Sequence, residues 1–397
     1  MVDITPPKYV RNVLRTLKMH GHSACLVGGC VRDLILGVQP HDWDVATSAR
    51  PEEVVALFPD SIPTGIRHGT VTVKSLSKFV EVTTFRSDGE YADHRHPDAV
   101  SFVGDLNTDL SRRDFTINAI AVSSEGVILD PYHGIDDIAA KIIRCVGDPE
   151  KRFEEDALRM LRAFRFSSRL GFEIEEQTLR AIETKTPLAA DLSAERVRDE
   201  IEKILLTNSP ETLFTVIRLG LLDAFLKSPL SRDDGLRCIS ALRKKALPRW
   251  SLFCTVLLAD NCISSVRDFL FALRLDGRTI RCCTDACAIL SKAPPEGIPE
   301  WKRLLNIYGV DSVECAALCW DVIYGGQSEA SLKKVLKSGE CFSLRNLAVN
   351  GDDLILLGYK NKKLGEMLAF LLDYVIDYPE NNKREVLLAL AAPGEDS

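Results

Sequence analysis

The stretch Leu26-Val27-Gly28-Gly29-Cys30-Val31-Arg32-Asp33, with Asp42-Trp43-Asp44 close behind it, decides how the rest of the chain is read. An apolar run ends in two glycines, a helical segment starts at once, and two carboxylates follow on a second short apolar run. Two glycines at a strand-to-helix turn let backbone N–H groups approach a phosphate chain, and a helix N-terminus favours anionic charge. Asp42 and Asp44, two apart on a strand, point to the same face and can share a divalent cation. Hard oxygen ligands suit Mg2+, which takes one or two carboxylates plus substrate phosphates. A Gly-Gly pair alone is an ordinary turn and Asp-x-Asp alone an ordinary strand end. Their succession outlines a site for nucleotidyl transfer.

The composition bounds what surrounds this stretch. With 397 residues, 46% hydrophobic and 27% charged, the chain has ample core for two to four domains, taking ~100–200 residues for each. The net charge of −7, from 50 basic and 57 acidic residues, argues against a general nucleic-acid coat. Contact with a nucleic acid must therefore use a local basic face. The twelve cysteines are scattered in mostly apolar helical sequence. Cys283 and Cys287, like Cys315 and Cys319, lie one helical turn apart, which is not a zinc ribbon or finger spacing. They read as small apolar side chains in a reducing cytoplasm. No apolar run approaches the ~18 residues that a membrane span needs.

Taken in order, Thr5-Pro6-Pro7 opens a helix with Val10, Val13, Leu14 and Leu17 on one face and Gly21 as its stop. A second helix is expected over 51–58. Residues 69–85 alternate as two strands, and Glu81 there is either a third metal-site carboxylate or a solvent-face residue. Residues 86–99 are polar and turn-rich, with His94 and His96 read as exposed rather than metal-bound. Paired arginines follow at 112–113, and Arg supplies planar, always-charged donors for phosphate oxygens. Beyond Gly147 one helix is expected over 149–170, with Asp148 as N-cap, Pro149 in the first turn and Gly171 as the stop. Spacings of three and four set Asp156, Arg159, Arg162, Arg165 and Arg169 along one face of it.

These blocks, GGxVRD at 28–33, DxD at 42–44, RRDFTIN at 112–118, EDxxRxxRxxR at 155–165 and ERxxxE at 195–200, stand in the order of a known family. The chain resembles the class II tRNA nucleotidyltransferases, the CCA-adding enzymes and their bacterial poly(A) polymerase relatives. The resemblance covers roughly residues 24–208, with a weaker echo over 351–365. It implies an α+β head of the DNA polymerase β type followed by an all-α neck, body and tail, at 1–140, 141–208, 209–300 and 301–397. It implies addition of C, C and A to the 3′ end of tRNA from CTP and ATP, with release of pyrophosphate. Asp42 and Asp44 would hold Mg2+ ions and carry the catalysis. Gly28, Gly29, Arg32 and Arg113 would hold the triphosphate and sugar, and Asp114 and Asn118 would hold the ribose or buttress their turn. Asp156 and Arg159 would read the base, with Arg162 and Arg165 orienting Asp156 or reaching phosphates. Glu195 and Arg196 would brace that helix. Residues 86–99 resemble the loop needed to change from C to A addition, with His96 where a second arginine is common.

The base-reading assignment has a chemical logic. Cytosine and adenine both present an amino donor beside a ring-nitrogen acceptor; uracil and guanine present the inverse. A carboxylate beside a guanidinium matches the first pair and leaves buried polar groups unpaired against the second. The alternatives are a CC-only or A-only enzyme, a poly(A) polymerase, or a silent RNA-binding protein on the same scaffold. Ile62–Thr70 looks like the CCA-adding form of the strand entry, and intact Asp42, Asp44 and Asp156 disfavour the silent protein. From Pro210 onward the chain reads as chemically quiet helix, with apolar periodicity around 212–226, 236–246, 251–273 and 279–291. Leu364, Met367, Leu368, Leu371, Leu372 and Val375 form an amphipathic stripe. Lys360-Asn361-Lys362-Lys363 before it is an exposed turn or a phosphate-backbone contact.

Overall fold

The computed structural model describes residues 5–66, 69–89, 100–226, 250 and 263–392. Residues 90–99 of the expected C-to-A loop, with His94, Arg95 and His96, the Arg67–His68 part of the strand entry, and the segment 236–246 with the first part of 251–273 lie outside the described residues. The chain divides into two compact units, Met1–Ala224 and Phe225–Ser397.

The first unit opens with helix α1 (Lys8–Met19), whose buried face is Val10, Val13, Leu14 and Leu17. Burying each such side chain contributes roughly 1.5–3 kcal/mol over leaving it exposed, so this stripe fixes the helix on the sheet. Strand β1 (Ala24–Val27) runs into α2 (Gly29–Ile35), followed by β2 (Asp44–Thr47) and α3 (Pro51–Leu57). Strands β3 (Ile62–Gly65), β4 (Thr70–Ser75) and β5 (Lys78–Thr84) come next. After them come a short ribbon of β6 (Arg86–Asp88) and β7 (Val100–Phe102), helix α4 (Leu106–Ser111), β8 (Ala121–Ser123) and β9 (Ile128–Leu129). The main sheet has seven strands in the order β3-β4-β5-β2-β1-β8-β9. It is mixed, because β2 pairs in parallel with β5 and antiparallel with β1. The helices of this α+β head thus accompany a sheet whose inner strands, β1 and β2, carry the glycine turn and an aspartate.

Helix α5 (Gly134–Ala140) and strand β10 (Ile142–Ile143) lead to α6 (Pro149–Glu155), α7 (Leu158–Leu170), β11 (Glu173–Ile174), α8 (Glu176–Lys185), α9 (Ala194–Leu205) and α10 (Thr212–Arg218). This helical part is bonded to the head through its backbone: Thr116 N donates to Arg144 O at 2.9 Å and Val146 N to Asp114 O at 3.1 Å. Those bonds set the RRDFTIN segment at a fixed distance from α7.

One expectation is corrected here. Residues 149–170 are two helices, not one, broken at Asp156, whose backbone is extended (φ −146°, ψ 101°). The break lets the Asp156 carboxylate cap α7 by accepting from Leu158 N at 3.1 Å. An aspartate gains a backbone donor this way and is among the favoured residues at a helix start.

The second unit is helical among its described residues. Trp301 and Trp320 pack edge to face at 5.8 Å within the long helix Ile298–Tyr324, which kinks at Gly309. Cys283, Cys315 and Cys319 are buried, as small apolar side chains would be. The expected stripe lies on the helix Asn361–Asp377, with Leu371, Leu372 and Val375 buried and Leu364, Met367 and Leu368 packed against the same cluster. No helix among the described residues is long and apolar enough to cross a membrane.

Candidate functional site

Gly28 takes φ +73° and ψ −134°, a conformation that side-chain-bearing residues rarely adopt. A Cβ there would lie 3.0 Å from Arg113 Nη1 and 3.9 Å from Asp44 Oδ2. The first glycine is therefore demanded twice, by its backbone and by the close approach of a cation to the turn. Helix α2 has only 7 residues, so close approach rather than helix dipole is the turn's main contribution.

Strand β2 begins at Asp44, so Asp42 precedes the strand rather than sitting on it. Asp42 is exposed, Trp43 buried and Asp44 half-buried, an alternation that turns both carboxylates away from the core. The parallel pairing of β2 with β5 sets Asp44 directly opposite Glu81. Burial pushes the Asp44 carboxyl up, as do the Glu81 and Asp42 charges; Arg113 and Arg32 offset part of this, and the group stands at about 6. Three acids with oxygen donors only and mutual repulsion fit a hard divalent cation, which relieves that repulsion. Among the described residues no three His, Cys, Asp or Glu side chains are disposed to enclose a metal. A cation on this edge would therefore draw its other ligands from water and substrate phosphates.

Facing the acids is a layer of arginines. Buried Asp109 accepts from Arg112 Nε and Nη2 at 3.0 and 2.7 Å and from Arg113 Nη2 at 3.0 Å. Burial raises the Asp109 carboxyl, but Arg113 and Arg112 outweigh it and hold the group below the usual carboxylate range. Asp114 accepts from Arg162 Nε and Nη2 at 2.9 and 2.6 Å and from Asn118 Nδ2 at 3.2 Å. Asp156 Oδ2 accepts from Arg196 Nη2 at 2.8 Å. Arg159 donates through Nη1 to Glu155 and to Arg152 O at 3.0 Å, and through Nη2 to Arg112 O at 3.2 Å.

Asp44, Glu81, Asp114 and Asp156 line one cleft of ≈ 450 Å³ with Arg112, Arg113, Arg159, Arg162 and Arg196. Of the residues expected from the sequence, Asp44, Glu81, Arg113, Asp156, Arg159 and Arg162 line it. Asp42, Gly28 and Gly29 are not among its lining residues. Two expected nucleotide ligands stand elsewhere. Arg32, 2% exposed, donates to Asp33 at 2.9 and 2.6 Å and to Asn118 Oδ1 at 2.6 Å, so it buttresses the turn from beneath. Arg165 donates to Glu200 Oε2 at 2.5 Å and lines a separate cleft with Arg169 and Lys203. Three residues once apart on one helix are divided by that helix's geometry: Arg159 and Arg162 face the nucleotide-sized cleft, Arg165 does not. The Phe166 ring lies among Arg32, Arg162 and Arg165, with guanidinium-to-centroid distances of 5.4, 5.5 and 4.0 Å. Arg162 also orients toward Asp114 rather than Asp156.

Arg196 and Arg112 line the cleft although the sequence reading made the first a brace and named the second only as one of a phosphate-facing pair. The ERxxxE spacing carried the signal. Arg196 on α9 reaches Asp156 while Glu200, one turn on, holds Arg165, so the motif bonds two positions of the neighbouring helix.

Comparison with known proteins agrees with this geometry. A model of the Poly A polymerase head domain matches residues 24–144, and one described as a probable RNA and SrmB-binding site of polymerase A matches residues 171–230. The CCA-adding enzyme of Geobacillus sp. (strain WCH70) is 41% identical over 356 residues, 86% of this chain and 85% of that protein. The CCA-adding enzyme of Lactiplantibacillus plantarum is 37% identical over 97% of this chain and 96% of its own. The crystal structure of the Bacillus stearothermophilus CCA-adding enzyme in complex with CTP superposes with a TM-score of 0.82 at 35% identity, covering 98% of this chain and 97% of that one. With Asp44, Glu81 and the arginine layer in one cleft, Arg113 against the glycine turn, and relatives matched along most of its length, the chain belongs to the CCA-adding enzymes.

Proposed function

We propose that this cleft carries out the reaction of its family, template-independent addition of CCA to the 3′ end of tRNA from CTP and ATP with release of pyrophosphate, with Asp42 and Asp44 as the catalytic carboxylates. The carrying observation is the juxtaposition in one cleft of the acidic edge, with Asp44 at about 6, and Arg113 beside the glycine turn. Asp42 and Asp44 would hold magnesium, with Glu81 facing Asp44 from the neighbouring strand. When bound, the metal activates the attacking 3′-hydroxyl and stabilises the leaving oxygen.

The chain's own residues position the rest. Arg113, gripped by Asp109, presents donors to the triphosphate, because placement and charge neutralisation do most of the work in phosphoryl chemistry. Gly28 and Gly29 admit the phosphates to the backbone. Asp156 accepts from the amino group of cytosine or adenine and Arg159 donates to the ring nitrogen, so that a base presenting the inverse pattern leaves both unpaired. Arg162 holds its place through Asp114, and Arg32 supports the turn through Asp33 and Asn118. In this reading 1–140 is the catalytic head, 141–208 the neck that reads the base, 209–300 a helical body and 301–397 the tail that binds the tRNA.

The test is incubation with tRNA lacking its 3′ CCA, magnesium, and labelled nucleotides singly and together. Two C additions, one A and a stop are the expected product. A stop after CC, a long A ladder, or tight tRNA binding with no incorporation would each replace the reading with a different one.

A further inference from the structure

We infer that Asp109, which is not among the residues lining the cleft, is the positioning residue that fixes its cationic rim. The inference rests on the proposed role of Arg113 toward the triphosphate. Asp109 sits near the end of α4, a helix whose start is pinned by Asp105 accepting from Asn107 N and Thr108 N at 3.2 and 3.0 Å. Arg112 and Arg113 follow at i+3 and i+4, the two positions a helical side chain can reach. The Asp109 carboxylate is 0% exposed, and both its oxygens are used. One takes the two donors of Arg112 and, at 3.4 Å, the backbone N–H of Arg86; the other takes Arg113 Nη2.

Three consequences follow from that geometry. A buried carboxylate with these partners is costly to disturb, so the two arginines are held rather than free to swing into solvent. Arg113 is held across the glycine turn, with Nη1 3.0 Å from where a Gly28 Cβ would be. Arg86, the first residue of β6 and itself a lining residue of the cleft, is tied by its backbone to the same carboxylate. One acid behind the wall thus sets three residues of the wall, and a site held this way needs no reorganisation when a polyanion arrives.

The experiment is a double-mutant cycle on the full chain, with equilibrium binding of CTP and of CMP measured for wild type, Asp109→Asn, Arg113→Gln and the double variant. Asp109→Asn is expected to weaken CTP about tenfold and CMP less than twofold, because the effect travels through a phosphate-facing arginine. Arg113→Gln is expected to cost about tenfold in the wild-type background and less than twofold once Asp109 is gone. Losses that multiply across the cycle, or equal losses for CTP and CMP, would overturn the inference. If Asp109→Asn does not fold, Asp109→Glu keeps the charge and moves it by one methylene. Folded Asp109→Glu should bind CTP several-fold more weakly, and native CTP affinity would overturn the positioning role. Native CTP affinity in Arg113→Gln alone would instead overturn the underlying role of Arg113. Incorporation of C, C and A by the wild type tests the family reaction separately.

Discussion

The two walls of the cleft are built on opposite principles. Along the sheet edge, Asp42, Asp44 and Glu81 make no ion pair among the described residues, and Asp44 is pushed up to about 6 by burial and by its acidic neighbours. Across from them five arginines of the rim are already matched: Arg112 and Arg113 with Asp109, Arg159 with Glu155, Arg162 with Asp114, Arg196 with Asp156. An acidic group left unbalanced stores a demand for a cation, whereas a cation bonded to an acid behind it is a rigid arm with donors to spare. The first wall is left unbalanced. The second is finished before any nucleotide arrives.

The sharpest way to break this contrast is at the acidic wall. Asp42→Ala and Asp44→Asn should each cut incorporation on the order of a thousandfold, about 4 kcal/mol of transition-state stabilisation, while tRNA affinity in a filter-binding assay stays within a few-fold. Near-normal extension by Asp42→Ala would remove that residue from the mechanism. At the base-reading end, Asp156→Ala should erase on the order of a hundredfold preference for CTP over UTP in competition assays, with a smaller loss of total triphosphate binding. Unchanged rejection of UTP would move base selection to another group.

The matched wall predicts a stability signature. Burial pushes the Asp114 carboxyl up, but the Arg162 charge and the hydrogen bonds from Arg162 and Asn118 outweigh it and hold the group at about 2. A carboxyl lower in the folded than in the unfolded chain stabilises the fold above its unfolded value and loses that contribution as pH falls toward 2. The contribution is about 2 kcal/mol near neutral pH. Urea unfolding of wild type and Asp114→Asn should differ by about that much at pH 6, the gap narrowing by roughly half at pH 3. A gap that does not change with pH would mean the substitution acts through packing rather than charge. Smallest of all, Glu81→Gln should lower the repulsion on Asp44 and raise the magnesium concentration for half-maximal activity by a few-fold. No change in that requirement would return Glu81 to an ordinary strand residue.

Much of this was readable before any coordinates. The apolar stripe of α1, the stop at Gly21, the strands on either side of Ser77 and the stripe of the last long helix all follow from local periodicity, because each depends only on neighbours in the chain. The helix over 149–170 did not survive as one piece. Periodicity sees charges three and four apart and cannot see that Asp156 gains more from capping a new helix and meeting Arg196, 40 residues on, than from continuing the old one. Likewise Arg32, Arg162 and Arg165 carry equal charge, and the last two stand three apart on one helix. Only their partners separate a buried buttress, a cleft wall and a lining of another cleft.

The sequence by itself determined the chemistry available to this protein: a glycine turn, an Asp-x-Asp, paired arginines and an acidic–basic ladder, in an order that names the family. Those are residue types and short spacings, and covalent order preserves both. The tertiary structure alone decided which of those charges are balanced and which are left bare. Beyond local pairs such as Asp109 with Arg112 and Arg113, balance depends on partners brought from far along the chain, Asp114 with Arg162 and Asp156 with Arg196, while Glu81 across the strand adds to the charge left bare; electrostatic energy is set by distance in space, not by distance along the chain.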